Sequence, residues 1–295
     1  MRTAKLVVHA TDGVFRMSEE HAMSLHEVEQ LSWYDLNAYI GIPYFHEGGL
    51  RATDRLADLC GIGSETRVLV VGCGTGYSAC YLARTRGCQI DGFDIAENMV
   101  DRAKARANAE GVADRVSFQV ADAHRTPFED VQYDVVLTEV VSMFLDRDRA
   151  FRECVRVLQP GGYLGIDELY KEDIIPESSR VKIDEAEGIY AEATGLPFAA
   201  LASSAWQQEF RRVGLIDIQS ERVNYTESLR ERARSVGGWR KLLGMIGRGF
   251  LLMARSREVR RKMLIEARFK RVIMRDKSTR QYIGALLCVG RKMGK

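Results

Sequence analysis

The chain has little that would hold it together by covalent bridges, metal clusters or membrane burial. Its six cysteines form no C-x-x-C pair and stand near no histidine at zinc-ligand spacing, so the thiols read as reduced, in a reducing compartment. Five prolines in 295 residues exclude collagen-like and proline-rich disordered classes. Long apolar runs are missing too. The longest strongly apolar stretch of the C-terminal half, Leu242 to Met253, is twelve residues and contains Arg248, whereas a bilayer span takes about 20 apolar residues. Met1 to Ala10 carries two basic residues and only a stub of apolar sequence, too short for a secretory core. These absences predict a soluble, cytoplasmic chain. With 46% apolar and 28% charged residues it has the composition of a globular protein with a core.

A net charge of +2 hides an asymmetry. From Glu221 to Lys295 there are 21 basic and 6 acidic residues, a local charge of +15, which leaves 22 basic and 35 acidic residues, or −13, in the first 220. A basic tail of this kind meets something anionic: a membrane surface, a nucleic acid or the acidic part of the same chain.

The patterning is that of alternating strands and helices. Aromatic residues cluster between Ser32 and His46, and a helix is expected from Leu50 to Cys60. Arg67–Val71 is a short continuous apolar run, as a strand buried on both faces requires. Strands are expected at Gln89–Asp94, Val116–Val120, Tyr133–Leu137 and Tyr163–Ile166. Helices are expected at Tyr77–Thr85, Ala96–Ala109 and Arg147–Leu158, with a turn at Pro160-Gly161-Gly162. Five such units give a parallel sheet covered on both faces, with ligands at the carboxyl ends of its strands. Residues 171–200 break the rhythm. A helix at Ser203–Val213, a strand at Ile216–Asn224, a basic helical stretch over 227–278 and a last strand at Gln281–Val289 follow.

Gly72-Cys73-Gly74-Thr75-Gly76 follows the first strand and opens the first helix, where glycines bring the backbone close to a ligand. Asp94, followed by Ile95, closes the second strand, placed to accept both hydroxyls of a ribose. Asp122, followed by Ala123, closes the third, placed to receive an exocyclic amine. Three positions at three successive strand ends describe an adenosine compound. The loop departs from the G-x-G-x-x-G of a dinucleotide site.

These residues, with Pro127-Phe128, Tyr133-Asp134-Val135-Val136 and Leu158-Gln159-Pro160-Gly161-Gly162, resemble the ordered motifs of class I S-adenosylmethionine-dependent methyltransferases. The nearest branch is that of ubiquinone/menaquinone and sterol C-methyltransferases. The resemblance covers about residues 33–170 well and the last strand loosely. It implies S-adenosylmethionine as cofactor, with Gly72, Gly74 and Gly76 under its methionine part, Asp94 on the ribose and Asp122 on the adenine amine. It also implies an α/β fold with a Rossmann-like seven-stranded, mostly parallel sheet and helices on both faces. An N-terminal helical lid would precede it, with a basic helical insertion before an antiparallel last strand. The expected parts are a lid at 1–50, a core at 51–226, the insertion at 227–278 and the last strand and tail at 279–295.

Methyl transfer from a sulfonium needs positioning and an environment for the moving charge, with a base only when the acceptor must lose a proton. Glu139, among apolar neighbours at the end of the fourth strand, is the first candidate, for handling charge or for the cofactor's amino group. His46 and Tyr39 in the lid are further catalytic candidates, and His124 a weaker one. Asp167 and Glu168 either line the acceptor pocket or are solvated loop carboxylates. No metal site is expected. The acceptor is expected to be small and lipophilic (an isoprenoid, quinone or lipid), with carbon favoured as the methylated atom. The alternatives are nitrogen or oxygen methylation of a soluble molecule, RNA methylation, or cofactor binding without turnover. Trp239, Leu242, Leu243, Ile246, Phe250 and Met253 recur at helical spacing among arginines. That stretch either packs over the core or lies on a membrane surface. Nucleic acid is the least favoured partner, because few aromatics suited to base stacking accompany the arginines.

Overall fold

Neighbouring residues of a strand point to opposite faces of the sheet, so a strand covered on both sides has no polar positions to spare. In β1 (Arg67–Val71), Val68 and Val70 join one core cluster and Leu69 and Val71 another on the opposite face. The computed structural model describes residues 23–223 and 227–294. Within them the order is α1 (Leu25–Gln30), α2 (Trp33–Ile40), α3 (Leu50–Leu59), β1, α4 (Tyr77–Arg86), β2 (Gln89–Asp94), α5 (Glu97–Glu110), β3 (Val116–Val120), β4 (Tyr133–Glu139), α6 (Arg147–Val157) and β5 (Leu158–Lys171). Then come α7 (Glu177–Thr194), β6 (Leu201–Ala202), α8 (Ser203–Arg212), β7 (Leu215–Val223), α9 (Leu229–Ser235), α10 (Trp239–Arg255), α11 (Arg257–Lys270) and β8 (Ile283–Lys292). Residues 1–22 of the expected lid and Asn224, the end of an expected strand, lie outside the described residues.

The strands run in the order β3-β2-β1-β4-β5-β8-β7, with β6 a two-residue addition on β5. The first five are parallel, and β8 is antiparallel to both β5 and β7. One face is covered by α3, α4 and α5 through Leu56, Ala79, Leu82 and Ala103. The other is covered by α6 and α8 through Phe151, Trp206 and Phe210. Local chemistry sets the two helices at the start of the described residues. Ser24 and Glu27 form a capping box at the start of α1, and Ser32 caps α2 by accepting from Asp35 N, so the chain restarts its helix at residue 33.

The structure adds three points to the sequence expectations. Within residues 171–200, where the sequence breaks the rhythm, α7 fills most of the stretch, burying Ile183, Ala186 and Tyr190 along a narrow stripe in an otherwise polar helix. The fifth strand runs from Leu158 to Lys171, so Asp167 and Glu168 are strand residues, both fully buried, and not solvated loop carboxylates. Pro160-Gly161-Gly162 lies within it as an irregularity, the register jumping from Tyr133↔Leu158 to Val135↔Tyr163. An eighth strand, β6, is too short to leave a pattern.

Trp206 is fully buried between α8 and the sheet, and its indole Nε1 donates to Leu169 O at 3.0 Å. Truncating so large a side chain leaves a cavity and an unpaired carbonyl. Trp206→Ala is expected to lower the unfolding free energy by about 3–5 kcal/mol in urea titration, whereas Leu243→Ala, on an exposed surface, should change it by less than about 0.5 kcal/mol.

Candidate active site

The strand order reverses between β1 and β4. Their following helices, α4 and α6, pack on opposite faces of the sheet, so the loops after these two strands part and leave a crevice. The glycine loop forms one wall. Gly74 has φ +51°, and a Cβ there would meet nothing within 4 Å, so its open side faces the crevice. Gly76 serves packing instead, since a Cβ would stand 2.8 Å from that of Ala103 on α5, and Gly72 lies against the Val141 side chain.

Asp94 is held by the loop it serves. Its Oδ2 accepts from Gly74 N at 2.9 Å and its Oδ1 from Ala96 N at 3.0 Å. Burial raises its pKa, and those N–H groups oppose the rise. Next to it Ile95 is 75% exposed, an apolar side chain with no packing role of its own. Thr75 Oγ1 is buried without a hydrogen-bond partner. A carboxylate and an exposed branched side chain ahead of α5, with a bare glycine backbone ahead of α4, fit a ribose, a base and an amino-acid tail. Asp122 Oδ1 accepts from His124 N at 2.9 Å and lies 2.7 Å from His124 Nδ1, while His124 Nε2 accepts from Asp146 N at 3.1 Å. The ring therefore ties the loop after β3 to the start of α6, which leaves His124 no catalytic part. Ala123 beside it is buried.

The opposite wall is charged and buried. His46 is buried with Nδ1 3.2 Å from Asp167 Oδ2 and Nε2 3.8 Å from Glu139 Oε1. Thr53 Oγ1 donates to the same Glu139 oxygen at 2.6 Å. Burial by itself would lower the imidazole pKa, but the charges of Glu139 and Asp167 outweigh it and raise it to about 9. Burial raises Asp167 to about 6 against the pull of His46. Glu168 is raised by burial to about 8, although its Oε1 accepts from Val141 N at 3.0 Å and Ser142 N at 2.6 Å. None of the His46 nitrogens or Asp167 oxygens has an aligned hydrogen bond. The pair is therefore charged and close yet keeps polar capacity for a third group. The donor atoms of His46, Glu139 and Asp167 all lie within 4.8 Å of one another. Each ring nitrogen faces a different carboxylate, the arrangement an imidazolium satisfies by itself.

Aromatic rings close the site. Trp33, Phe45, Tyr190, Phe198 and Phe269 line a cavity of about 40 Å³ that also touches Val140 and Glu168. A molecule larger than a water or two enters only if these rings move. Over the glycine loop, Tyr44 donates to Glu227 and Tyr77 to Ser235 O, tying the segment around α9 to the lid and to α4. Tyr39, a catalytic candidate from sequence, is a correction. Its side chain packs with Val28, Ile40 and Leu252, and its ring lies 6.0 Å from Arg248, on the outer side of α2. Sequence reasoning also missed Thr53 and Val140. Val140 is a β-branched residue at φ +56°, and no sequence signal announces it.

Residues 69–166 match the family described as Methyltransferase domain. The 27-O-demethylrifamycin SV methyltransferase of Amycolatopsis mediterranei is 33% identical over 200 residues, covering 63% of this chain and 72% of that protein. Methyltransferase GfsG of Streptomyces halstedii is 39% identical over 124 residues, covering 42% of this chain and 45% of that protein. The chain thus spans under half of one curated relative and nearly three quarters of the other. Among solved structures, the cyclase SpnF shares the fold, with TM-score 0.65, 23% identity and coverage of 93% of this chain and 98% of that one.

The charged wall makes a direct prediction. In NMR of ring-labelled histidine, His46 is expected to stay an imidazolium through neutral pH and to lose its proton near pH 9. Asp167→Asn removes one of the two carboxylate charges and should move that titration down. A wild-type midpoint near the ordinary histidine value of about 6.5 would contradict the geometry.

Proposed function

Because this chain belongs to the class I S-adenosylmethionine-dependent methyltransferases, we propose that it methylates a hydroxyl oxygen of a small lipophilic acceptor. The observation that carries this reading is the buried His46 between Asp167 and Glu139, beside the glycine loop. When bound, S-adenosylmethionine supplies a methyl group on a sulfonium. The chain's part is to hold that molecule through Gly74 and Asp94, with Ile95 and Asp122 flanking it, and to exclude water with the rings of the lid. An acceptor hydroxyl gives its proton to the His46–Asp167 pair as its oxygen takes the methyl. Asp167 is the acceptor of that proton at neutral pH, because His46 is already protonated and serves as its counter-ion. The rate should therefore rise with pH as Asp167 loses its proton near pH 6 and level off above it, His46 keeping its charge until about pH 9. The name of the Amycolatopsis relative gives 27-O-demethylrifamycin SV as that protein's acceptor, which supports oxygen as the target.

Carbon methylation, the choice favoured by sequence, is the second reading. Glu139 would then face a developing carbocation, and isoprenoids, quinones and lipids are the acceptors in view. Against it, Glu139 already accepts from Thr53 and faces a positive His46, which would repel a carbocation. In either reading the protein works in the cytoplasm and collects its acceptor at a membrane surface through the basic segment 227–278.

The two readings separate by substitution. With a panel of lipophilic alcohols and phenols, S-adenosylhomocysteine formation is expected to fall by about 10²–10⁴-fold in Asp167→Asn and His46→Asn, with cofactor affinity retained. Glu139→Gln should cost less. Full turnover in Asp167→Asn together with its loss in Glu139→Gln would reverse the choice.

A further inference from the structure

The helix α10 has two apolar faces, and the fold uses only one. Leu242, Gly249 and Leu252 are buried, with Leu252 packing against Leu36 and Ile40 of α2. Arg248 reinforces this contact by donating to Tyr39 O at 2.8 Å. A second row, Trp239, Leu243, Ile246 and Phe250, follows the i, i+4, i+7, i+11 spacing that aligns residues along a helix. These four are 52%, 64%, 41% and 66% exposed. Nothing in the described residues covers them.

The charges around this row say what does. Between residues 232 and 257 the sequence has seven Lys or Arg and no Asp or Glu. Arg234, Arg240, Lys241, Arg255 and Arg257 are exposed. Two copies of this face laid together would set cations against cations. An anionic bilayer would take the apolar row into its acyl boundary and offset the same cations with headgroup phosphates. No helix among the described residues is long and apolar enough to cross a membrane, so α10 would lie in the interface.

We infer that the outer row of α10, Trp239, Leu243, Ile246 and Phe250 with its basic flanks, is the face by which the protein sits on an anionic lipid surface. This rests on the reading that the acceptor is lipophilic and drawn from a membrane. The buried face of the same helix holds α2, which carries Trp33 at the cavity, so the lipid contact stands one helix away from the aromatic wall.

Trp239 makes the test specific, because Trp33 and Trp206 are buried. The full chain is mixed with vesicles of phosphatidylcholine alone or in equal parts with phosphatidylglycerol. The anionic vesicles should shift tryptophan emission to the blue, brominated lipid should quench it, and Trp239→Phe should abolish both responses. Leu243→Glu with Phe250→Glu should reduce co-sedimentation by about tenfold or more, and high salt should weaken it. Unmoved emission with both vesicle types overturns the inference, as does undiminished binding by the double variant. A lipid-free emission shift that grows with protein concentration also overturns it, assigning the face to a second copy; binding of RNA in place of vesicles does the same. S-adenosylhomocysteine formation with detergent-dispersed acceptors, measured without vesicles, reports separately on the methyl-transfer reading.

Discussion

Asp167 and Glu139 stand side by side on neighbouring strands, and two carboxylates cannot be buried there as anions without a cation between them. His46 is that cation. It comes from the segment ahead of the first strand, so the charged wall exists only when that segment is folded over the sheet. The electrostatics of β4 and β5 and the packing of the segment ahead of β1 are therefore one event. Removing His46 would leave Asp167 with its burial cost unopposed, and the lid would lose its deepest polar anchor.

A local strain serves the same end. Val140 holds φ +56° immediately after Glu139, a conformation that costs a β-branched residue of order 1–3 kcal/mol. It is kept there from β5: Val140 N donates to Asp167 O at 2.8 Å, and the next two N–H groups go to Glu168. The turn that carries Glu139 into the crevice is thus held by the two residues that follow Ile166 on the neighbouring strand. Asp167 offers its backbone to the turn and its side chain to His46. Glu168 spends one oxygen on the turn and keeps the other buried without a partner.

The sequence carried the parts of this site whose logic is local. The glycine loop, Asp94, Asp122 and Glu139 each sit at a strand end within a few residues of a readable apolar run, and the glycine loop and Asp94 are joined directly through Gly74 N. The pairing of His46 with Asp167 spans more than 100 residues and depends on which way two side chains point, so only the candidates were visible. Asp167-Glu168 looked like the start of a loop because two adjacent acids contradict a buried strand; the partners of their carboxylates, a histidine and two backbone N–H groups, are not written nearby. Tyr39 misled because one helix carries both walls: Tyr34 joins the aromatic cluster beside the site while Tyr39 turns toward α10. For the basic segment, packing and exposure were posed as alternatives, whereas α10 does both on adjoining faces.

In the proposed reaction the acceptor takes the methyl group beside the His46–Asp167–Glu139 cluster, across the crevice from Asp94. A crystal structure with S-adenosylhomocysteine bound tests it most directly. The account predicts the ribose hydroxyls on Asp94, the amino-acid tail along Gly74 and the sulfur facing His46 and Asp167, with both carboxylates still flanking the ring. A sulfur turned away from this cluster, or a His46 swung out of it when the cofactor is in place, would contradict the account.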